Sequence, residues 1–149
     1  LMEDGSRTYA ILRTGIDDML PKQFQTEPGF DPAEDHIGPF YFTEEDGELH
    51  YAFEADQTHC NTHGIVHGGV LMTFADYSLC MQATNHYAQE TCITISFNSA
   101  FVSAAEIGSM VECNVVTTRK TGSMVFLTGR VFAGDETVMT FSAVVKRIR

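Results

Sequence analysis

The feature that most constrains the fold is an apolar segment at residues 67–84, which reads HGGVLMTFADYSLCMQAT. It is long enough for a helix and lacks a polar stripe, so we expect a helix that is buried on most sides. Four strand-like segments follow, joined by short turns, and such strands pair antiparallel: residues 92–102, 107–118, 123–132 and 137–146. The sequence therefore predicts an α+β domain, an antiparallel β-sheet wrapped around a long central α-helix.

The segments before the central helix are shorter and more polar. Residues 8–20 place apolar side chains near helical spacing and predict a short amphipathic helix. Residues 26–39 are rich in proline, glycine and acid, and we interpret them as a loop. The runs 40–43 and 49–53 flank the turn EEDG and predict a hairpin. The predicted core begins at residue 40, with the first strand of this hairpin.

The chain length of 149 residues suits a single domain. We interpret residues 1–39 as an N-terminal helix and acidic loop, and residues 40–149 as the core. The formal net charge is -11, and all of the excess acid lies before residue 61. This balance argues against nucleic-acid binding. No apolar run reaches the roughly 18–20 residues of a membrane span.

The cysteines and the N-terminus bear on the compartment. No basic start followed by an apolar core indicates a signal peptide. The four cysteines form no C-x-x-C pair, so we expect reduced thiols and a cytoplasmic location.

Residues 61–76, NTHGIVHGGVLMTFAD, carry the features that point to chemistry. The amides of Gly68 and Gly69 begin the helix without intrahelical acceptors, at the positive end of its dipole, and suit an oxygen that gains negative charge. The two glycines equally suit close packing of helix on sheet. Asp76 is a carboxylate within the apolar helix, which is costly unless it is paired or functional. The alternative is a carboxylate satisfied by a neighbouring hydroxyl or amide.

The spacing between Gly68 and Asp76 bears on assembly. Eight residues of helix separate them by about 12 Å, so one chain does not easily bring both to the same small group. If they share a substrate carbonyl, they come from two antiparallel helices related by a two-fold axis. On that condition the sequence predicts at least a homodimer, with two sites at its interface.

The pattern N-x-x-G-x-x-H-G-G-x(6)-D, from Asn61 to Asp76, resembles that of the hotdog-fold acyl-CoA thioesterases of the phenylacetate-degradation type. These belong to the 4-hydroxybenzoyl-CoA thioesterase superfamily. The resemblance covers about residues 45–147. It implies a hotdog fold, hydrolysis of an acyl-CoA to free acid and CoA without a cofactor, and a tetramer built from two dimers.

The resemblance also implies roles for individual residues. The Gly68 amide would polarise the thioester oxygen, and Asp76 of the partner subunit would be the nucleophile or the base that activates water. Asn61 would hold the attacking water or the thioester region. Strand register places Thr94 where a serine or threonine often assists the carboxylate. Arg119 and Lys120 would lie near the nucleotide end of CoA.

Other residues carry competing interpretations. His67 contacts substrate, as Gly69 would, or orients Asn61, or packs and hydrogen-bonds at the helix entry; we favour the last. Arg119 and Lys120 bind phosphate or are solvated turn charges; a second basic cluster, at residues 146–149, is more readily a solvated tail. A metal site is disfavoured because no second ligand set accompanies His63 and His67. Cys80 lacks an evident base and reads as a packing thiol.

Two other functions remain open beside the thioesterase. A hotdog dehydratase or hydratase would use a histidine base, whereas the mid-helix position holds Asp76. A non-catalytic acyl-CoA binding protein would bind product tightly without turnover. The acyl preference is open, because aromatic residues such as Phe30, Phe40 and Tyr77 suit either an acyl pocket or core packing.

Overall fold

The computed structural model describes residues 7–8 and 24–148. Its strands are β1 (Arg7–Thr8), β2 (Gln25–Thr26), β3 (Tyr41–Glu45), β4 (Glu48–Glu54), β5 (Thr91–Phe101), β6 (Met110–Lys120), β7 (Met124–Ala133) and β8 (Glu136–Ile148). Its helices are α1 (Pro32–Ile37) and α2 (Gly68–Thr84), with a 3₁₀ turn at Gln57–His59. The predicted helix at residues 8–20 lies outside the described residues except for Thr8, which is in β1.

One antiparallel sheet in the order β1-β2-β3-β4-β6-β7-β8-β5 wraps around α2. The inner faces of the strands and nearly all of α2 beyond its first two turns form one core, with Phe53, Phe74 and Leu79 fully buried. Burial on this scale stabilises each such side chain by about 1.5–3 kcal/mol. The prediction of an antiparallel sheet around a central helix, the hotdog fold, is confirmed.

The predicted hairpin before α2 is confirmed, with strands slightly longer than expected. Asp46 and Gly47 both have positive φ, 52° and 79°, which is the backbone of a two-residue type I′ turn. This turn matches the right-handed twist of the strands, so β3 and β4 pair in continuous register from Tyr41 with Ala52 to Glu45 with Glu48.

The interpretation of residues 26–39 as a loop throughout was wrong. They contain the last residue of β2 and the short helix α1. The Asp31 side chain caps α1 by accepting hydrogen bonds from the amides of Ala33 and Glu34, and a proline occupies the first turn. Proline and acid at a helix start were read as loop signals because the helix is only six residues long.

The two faces of β5 do not follow the alternation of apolar and polar residues in its sequence. Strict alternation would place Ile93, Ile95 and Phe97 together on one face, but the register of β5 with β8 shifts between Thr94 and Ser96. This β-bulge leaves Ile93 and Ile95 52% and 50% exposed, while Phe97 packs against the core. Thr94 consequently faces α2, where the candidate site lies.

Candidate active site

The Asp76 carboxylate on α2 is paired with Thr94 on β5. The Thr94 hydroxyl donates to Asp76 Oδ1 at 2.5 Å, and Cys80 Sγ, one turn further along α2, lies 4.0 Å from the same oxygen. Asp76 Oδ2 makes no hydrogen bond to any residue in the described part of the chain. The arrangement orients the carboxylate through one oxygen and leaves the other available to react.

The first turn of α2 presents one amide without an acceptor among the described residues. The Gly69 amide donates to Nδ1 of His67, and the amides of Val70 and Leu71 donate to the His67 carbonyl. Among residues 24–148, the Gly68 amide has no acceptor. It is therefore the amide that can receive a substrate oxygen, whereas Gly69 contributes its small size.

The space around Gly68 is narrow. A β-carbon there would lie 2.9 Å from Cζ of Phe101, at the end of β5. The His67 side chain is exposed and caps α2, which is the predicted hydrogen bond at the helix entry. Contact of His67 or Gly69 with substrate stays a prediction.

Asn61 lies in the loop that leads into α2. Its side-chain Oδ1 accepts a hydrogen bond from the backbone amide of His63 at 2.9 Å. The backbone amide of Asn61 donates to the Ile65 carbonyl. The turn holds the side chain in place and leaves the Nδ2 group without an acceptor among the described residues. Asn61 can thus donate a hydrogen bond towards a bound molecule, as its predicted role requires.

The two predicted phosphate contacts end β6. Arg119 is exposed, and Lys120 Nζ lies 3.9 Å from Glu90 Oε1. The other Glu90 oxygen pairs at 3.1 Å with Arg147, a buried residue of β8. Arg147 is thus a structural partner of Glu90 and not a solvated tail charge, a correction to the second basic cluster. An open pocket of about 590 Å³ borders Glu90, Lys120 and Arg147.

The structure adds an acidic residue that the sequence did not single out. Glu34, on α1, faces α2 in a pocket with Phe40, Tyr77 and Met81. Burial, followed by repulsion from Asp31 and Asp76, raises the pKa of Glu34 from 4.5 to about 7. The pocket measures about 20 Å³, room for about one water, so this chain alone encloses no acyl-sized cavity there. Its only sequence signal was the acidic start of α1.

Two other kinds of feature are absent from the described residues. No group of three or more His, Cys, Asp and Glu side chains in residues 24–148 is arranged to hold a metal ion. No helix in this part of the chain is long and apolar enough to cross a membrane.

Comparison with known proteins bears on the family of this chain. Residues 63–140 match the family model of the thioesterase superfamily. A protein of Pseudomonas aeruginosa that is named as an esterase, PA0474, is 28% identical over 127 residues, which are 84% of this chain and 95% of that protein.

Solved structures share the fold. A mutant of the phenylacetic acid degradation protein PaaI from Thermus thermophilus superposes with a TM-score of 0.67 at 24% identity, over 79% of this chain and 100% of that one. BH2602 of Bacillus halodurans, solved with CoA, superposes with a TM-score of 0.67 at 17% identity, over 72% and 73% of the two chains. The family match includes both Gly68 and Asp76, and with it the expected resemblance is confirmed: the chain belongs to the thioesterase superfamily and is a thioester hydrolase.

Proposed function

We propose that this protein hydrolyses an acyl-CoA thioester to the free acid and CoA. The observation that carries the proposal is that α2 holds both a free amide, at Gly68, and a carboxylate, at Asp76. Thr94 orients that carboxylate through one of its oxygens. The first group suits a carbonyl oxygen that becomes negative, and the second suits attack on its carbon.

In the proposed reaction, the thioester oxygen accepts the Gly68 hydrogen bond. Asp76 Oδ2 then attacks the carbonyl carbon and the CoA thiolate leaves, after which water hydrolyses the anhydride to the free acid and restores Asp76. In the alternative route, Asp76 Oδ2 removes a proton from a water that attacks the carbonyl carbon, and the CoA thiolate leaves as the free acid forms. Asn61 donates from Nδ2 to the water or to the thioester. The Thr94 hydroxyl keeps the carboxylate in one rotamer during these steps.

The proposed active site combines two chains. About 12 Å of helix separates Gly68 from Asp76, so Asp76 of the partner subunit would face the Gly68 amide. The edge strand β5 supports this arrangement: it is the last strand of the sheet, and Ile93, Ile95 and Phe101 on it are half exposed. A long apolar edge is a template for pairing with a second copy. We extend the proposal to a tetramer of two such dimers, on the family resemblance.

The CoA moiety is proposed to lie along the end of β6. A solved relative in fold, BH2602, holds CoA, and Arg119 at this end is an exposed cation without an ion pair among the described residues. Lys120 adds a second cation, whose charge Glu90 partly offsets. All of the excess acid precedes residue 61, so this region is close to neutral and accepts a phosphate-rich substrate.

The test is Asp76→Asn, which keeps the size and the Thr94 contact but removes the charge. We expect kcat to fall at least about a hundredfold, measured as thiol release from aromatic, short and long acyl-CoAs. The oligomer should persist by sedimentation. Unchanged turnover would contradict the mechanism, and a change in enoyl absorbance without thiol release would indicate a hydratase.

A second measurement separates the two roles of Asp76. A single turnover in ¹⁸O-labelled water places the label on the Asp76 carboxylate if Asp76 is the nucleophile and water then opens the mixed anhydride at the aspartyl carbon. It places the label only in the released acid if Asp76 is the base.

A further inference from the structure

Two cysteines lie beside the Asp76–Thr94 pair and have no part in the proposed reaction. Cys80 Sγ, on α2, lies 3.4 Å from the Thr94 hydroxyl. Cys92 precedes Thr94 by two residues on β5, ahead of the bulge, so both side chains point to α2. Each of the two thiols is the largest influence on the pKa of the other, so Cys80 and Cys92 are neighbours. The two sulfurs therefore lie on facing elements, close to each other and to the carboxylate.

The backbone after α2 completes this cluster. Asn85, His86 and Tyr87 have positive φ values of 50°, 61° and 54°, a conformation that side chains of this size rarely adopt consecutively. The strained turn carries Tyr87 back over the thiols: its side chain packs against the core, and both Cys80 and Cys92 act electrostatically on its phenol. Tyr87 thus lies in one cluster with the two thiols, the Thr94 hydroxyl and the Asp76 carboxylate.

The two thiols differ in character. Hydrogen bonding with Cys80 lowers the pKa of Cys92, whereas hydrogen bonding with Cys92 and burial raise the pKa of Cys80. Cys92 is also the more exposed of the two. Cys92 is thus suited to react first with an oxidant that enters from solvent, and Cys80 to react second.

We propose that Cys80 and Cys92 form a peroxide-oxidisable thiol pair whose disulfide withdraws Cys80 and Thr94 from Asp76 and slows hydrolysis. The Cys92 thiolate attacks hydrogen peroxide, giving a sulfenic acid and hydroxide. The Cys80 thiol then attacks the sulfenic sulfur, forming the S–S bond and releasing water. Over both steps, two thiols lose two electrons and two protons, and one peroxide becomes two waters.

The structural consequence follows from the position of Cys80. Its Sγ now touches Asp76 Oδ1 and the Thr94 hydroxyl. Bonding to Cys92 turns this sulfur away from the carboxylate and pulls β5 and α2 together at Cys92. Thr94, two residues along, would shift with the strand, and a displacement of about 1 Å at a catalytic group costs up to roughly a hundredfold in rate. The effect on rate rests on the proposed function, but disulfide formation does not.

The test treats the reduced full-length protein with hydrogen peroxide, blocks remaining thiols and digests it. Mass spectrometry should find the Cys80 and Cys92 peptides linked, with two of the four thiols lost. Thiol release from acyl-CoA should fall at least about tenfold and return with dithiothreitol.

Matched variants complete the design. Cys92→Ser should resist inactivation by peroxide, while Cys60→Ser, which removes a thiol outside the cluster, should respond as the wild type does. Oxidation confined to Cys60, or a linked pair with unchanged hydrolysis, would overturn the proposal. If the reduced protein releases no thiol from any acyl-CoA, the proposed function fails, and the linked peptides still decide whether the thiol pair exists.

Discussion

At the scale of single residues, the two oxygens of Asp76 have different surroundings. Oδ1 accepts the Thr94 hydroxyl, and Oδ2 has no partner among the described residues. A hydrogen bond to a charged group contributes about 1.5–3 kcal/mol, which is enough to hold one rotamer of the carboxylate. The sequence also allowed a carboxylate that is satisfied by a neighbouring hydroxyl. That description holds for Oδ1 of Asp76 but not for Oδ2.

Replacing Thr94 tests this division. Thr94→Val keeps the shape but removes the donor, so we expect kcat to fall roughly tenfold to a hundredfold with little change in KM. Thr94→Ser retains the hydroxyl and serves as the control, with kcat within a few fold of the wild type. Equal activities of the two variants in the thiol-release assay would show that the hydroxyl does not orient Asp76.

Glu34 is the other residue whose surroundings determine its behaviour. Its pKa is about 7 in the folded chain against 4.5 in the unfolded chain, because burial and the nearby carboxylates oppose its charge. The folded state therefore binds more protons between these two values. The free energy of unfolding should fall as pH rises from about 4.5 to above 7, since the charge must then be carried in the folded state.

Glu34→Gln should remove this dependence. We expect the variant to be more stable than the wild type at pH 8 by about 1–2 kcal/mol, a value reduced for the partial exposure of the group, with a much smaller difference at pH 4. Urea unfolding at the two pH values measures it. Glu48→Gln, at the exposed start of β4, is the control and should show no such gain. A gain of equal size at both pH values would point to packing and not to charge.

At the scale of elements, the start of α2 decides which amide is available. His67 is extended, with φ -60° and ψ 134°, and its ring occupies the Gly69 amide. The Gly68 amide is left as the donor, at the positive end of a 17-residue helix. The two glycines thus have different roles: Gly68 offers a hydrogen-bond donor, and Gly69 allows other groups to approach closely.

Gly68→Pro is a direct test, because it deletes the amide hydrogen at a helix position that tolerates proline. The extended backbone of His67 is also compatible with a following proline. We expect kcat to fall about a hundredfold to a thousandfold, the range seen for loss of one oxyanion donor. Gly68→Ala keeps the amide and adds a similar contact with Phe101, so it isolates the steric effect. If the alanine variant is equally slow, crowding by Phe101 explains the loss.

At the scale of the whole molecule, the position of β5 links the candidate site to the proposed dimer interface. It pairs with β8 on one side and lies at the edge of the sheet on the other. Its bulge aims Thr94 at α2 and leaves Ile93 and Ile95 exposed. The same strand therefore supplies a residue of the candidate site and the surface proposed to bind a second chain.

Mixed oligomers test the shared site. Co-refolding equal amounts of Asp76→Asn and Gly68→Pro chains should restore about a quarter of wild-type activity, because half of the dimers are mixed and each mixed dimer has one intact site of two. Co-refolding Asp76→Asn with Asp76→Ala should restore none. A mixture as inactive as its parents, with mixed dimers present by mass spectrometry, would place both groups in sites that do not cross the interface.

The sequence predicted the elements whose signals are local. The apolar run at residues 67–84 became α2 almost residue for residue, and the four following strands shifted by at most three residues at any boundary. The short helix α1 was missed because six residues with proline and acid also fit a turn. The facing of β5 was missed because a bulge leaves no mark in an alternating sequence.

What the sequence by itself determined is the chemical inventory: an uninterrupted apolar helix that begins with two glycines and contains one carboxylate. Periodicity and local polarity suffice for this, since they depend on neighbours along the chain. Only the tertiary structure decided that Thr94 bonds to Asp76, that Cys80 and Cys92 face each other, and that Glu34 lies close enough to Asp76 for the two charges to repel. These contacts join residues far apart in the sequence, and strand register, a bulge and the burial of charge set them.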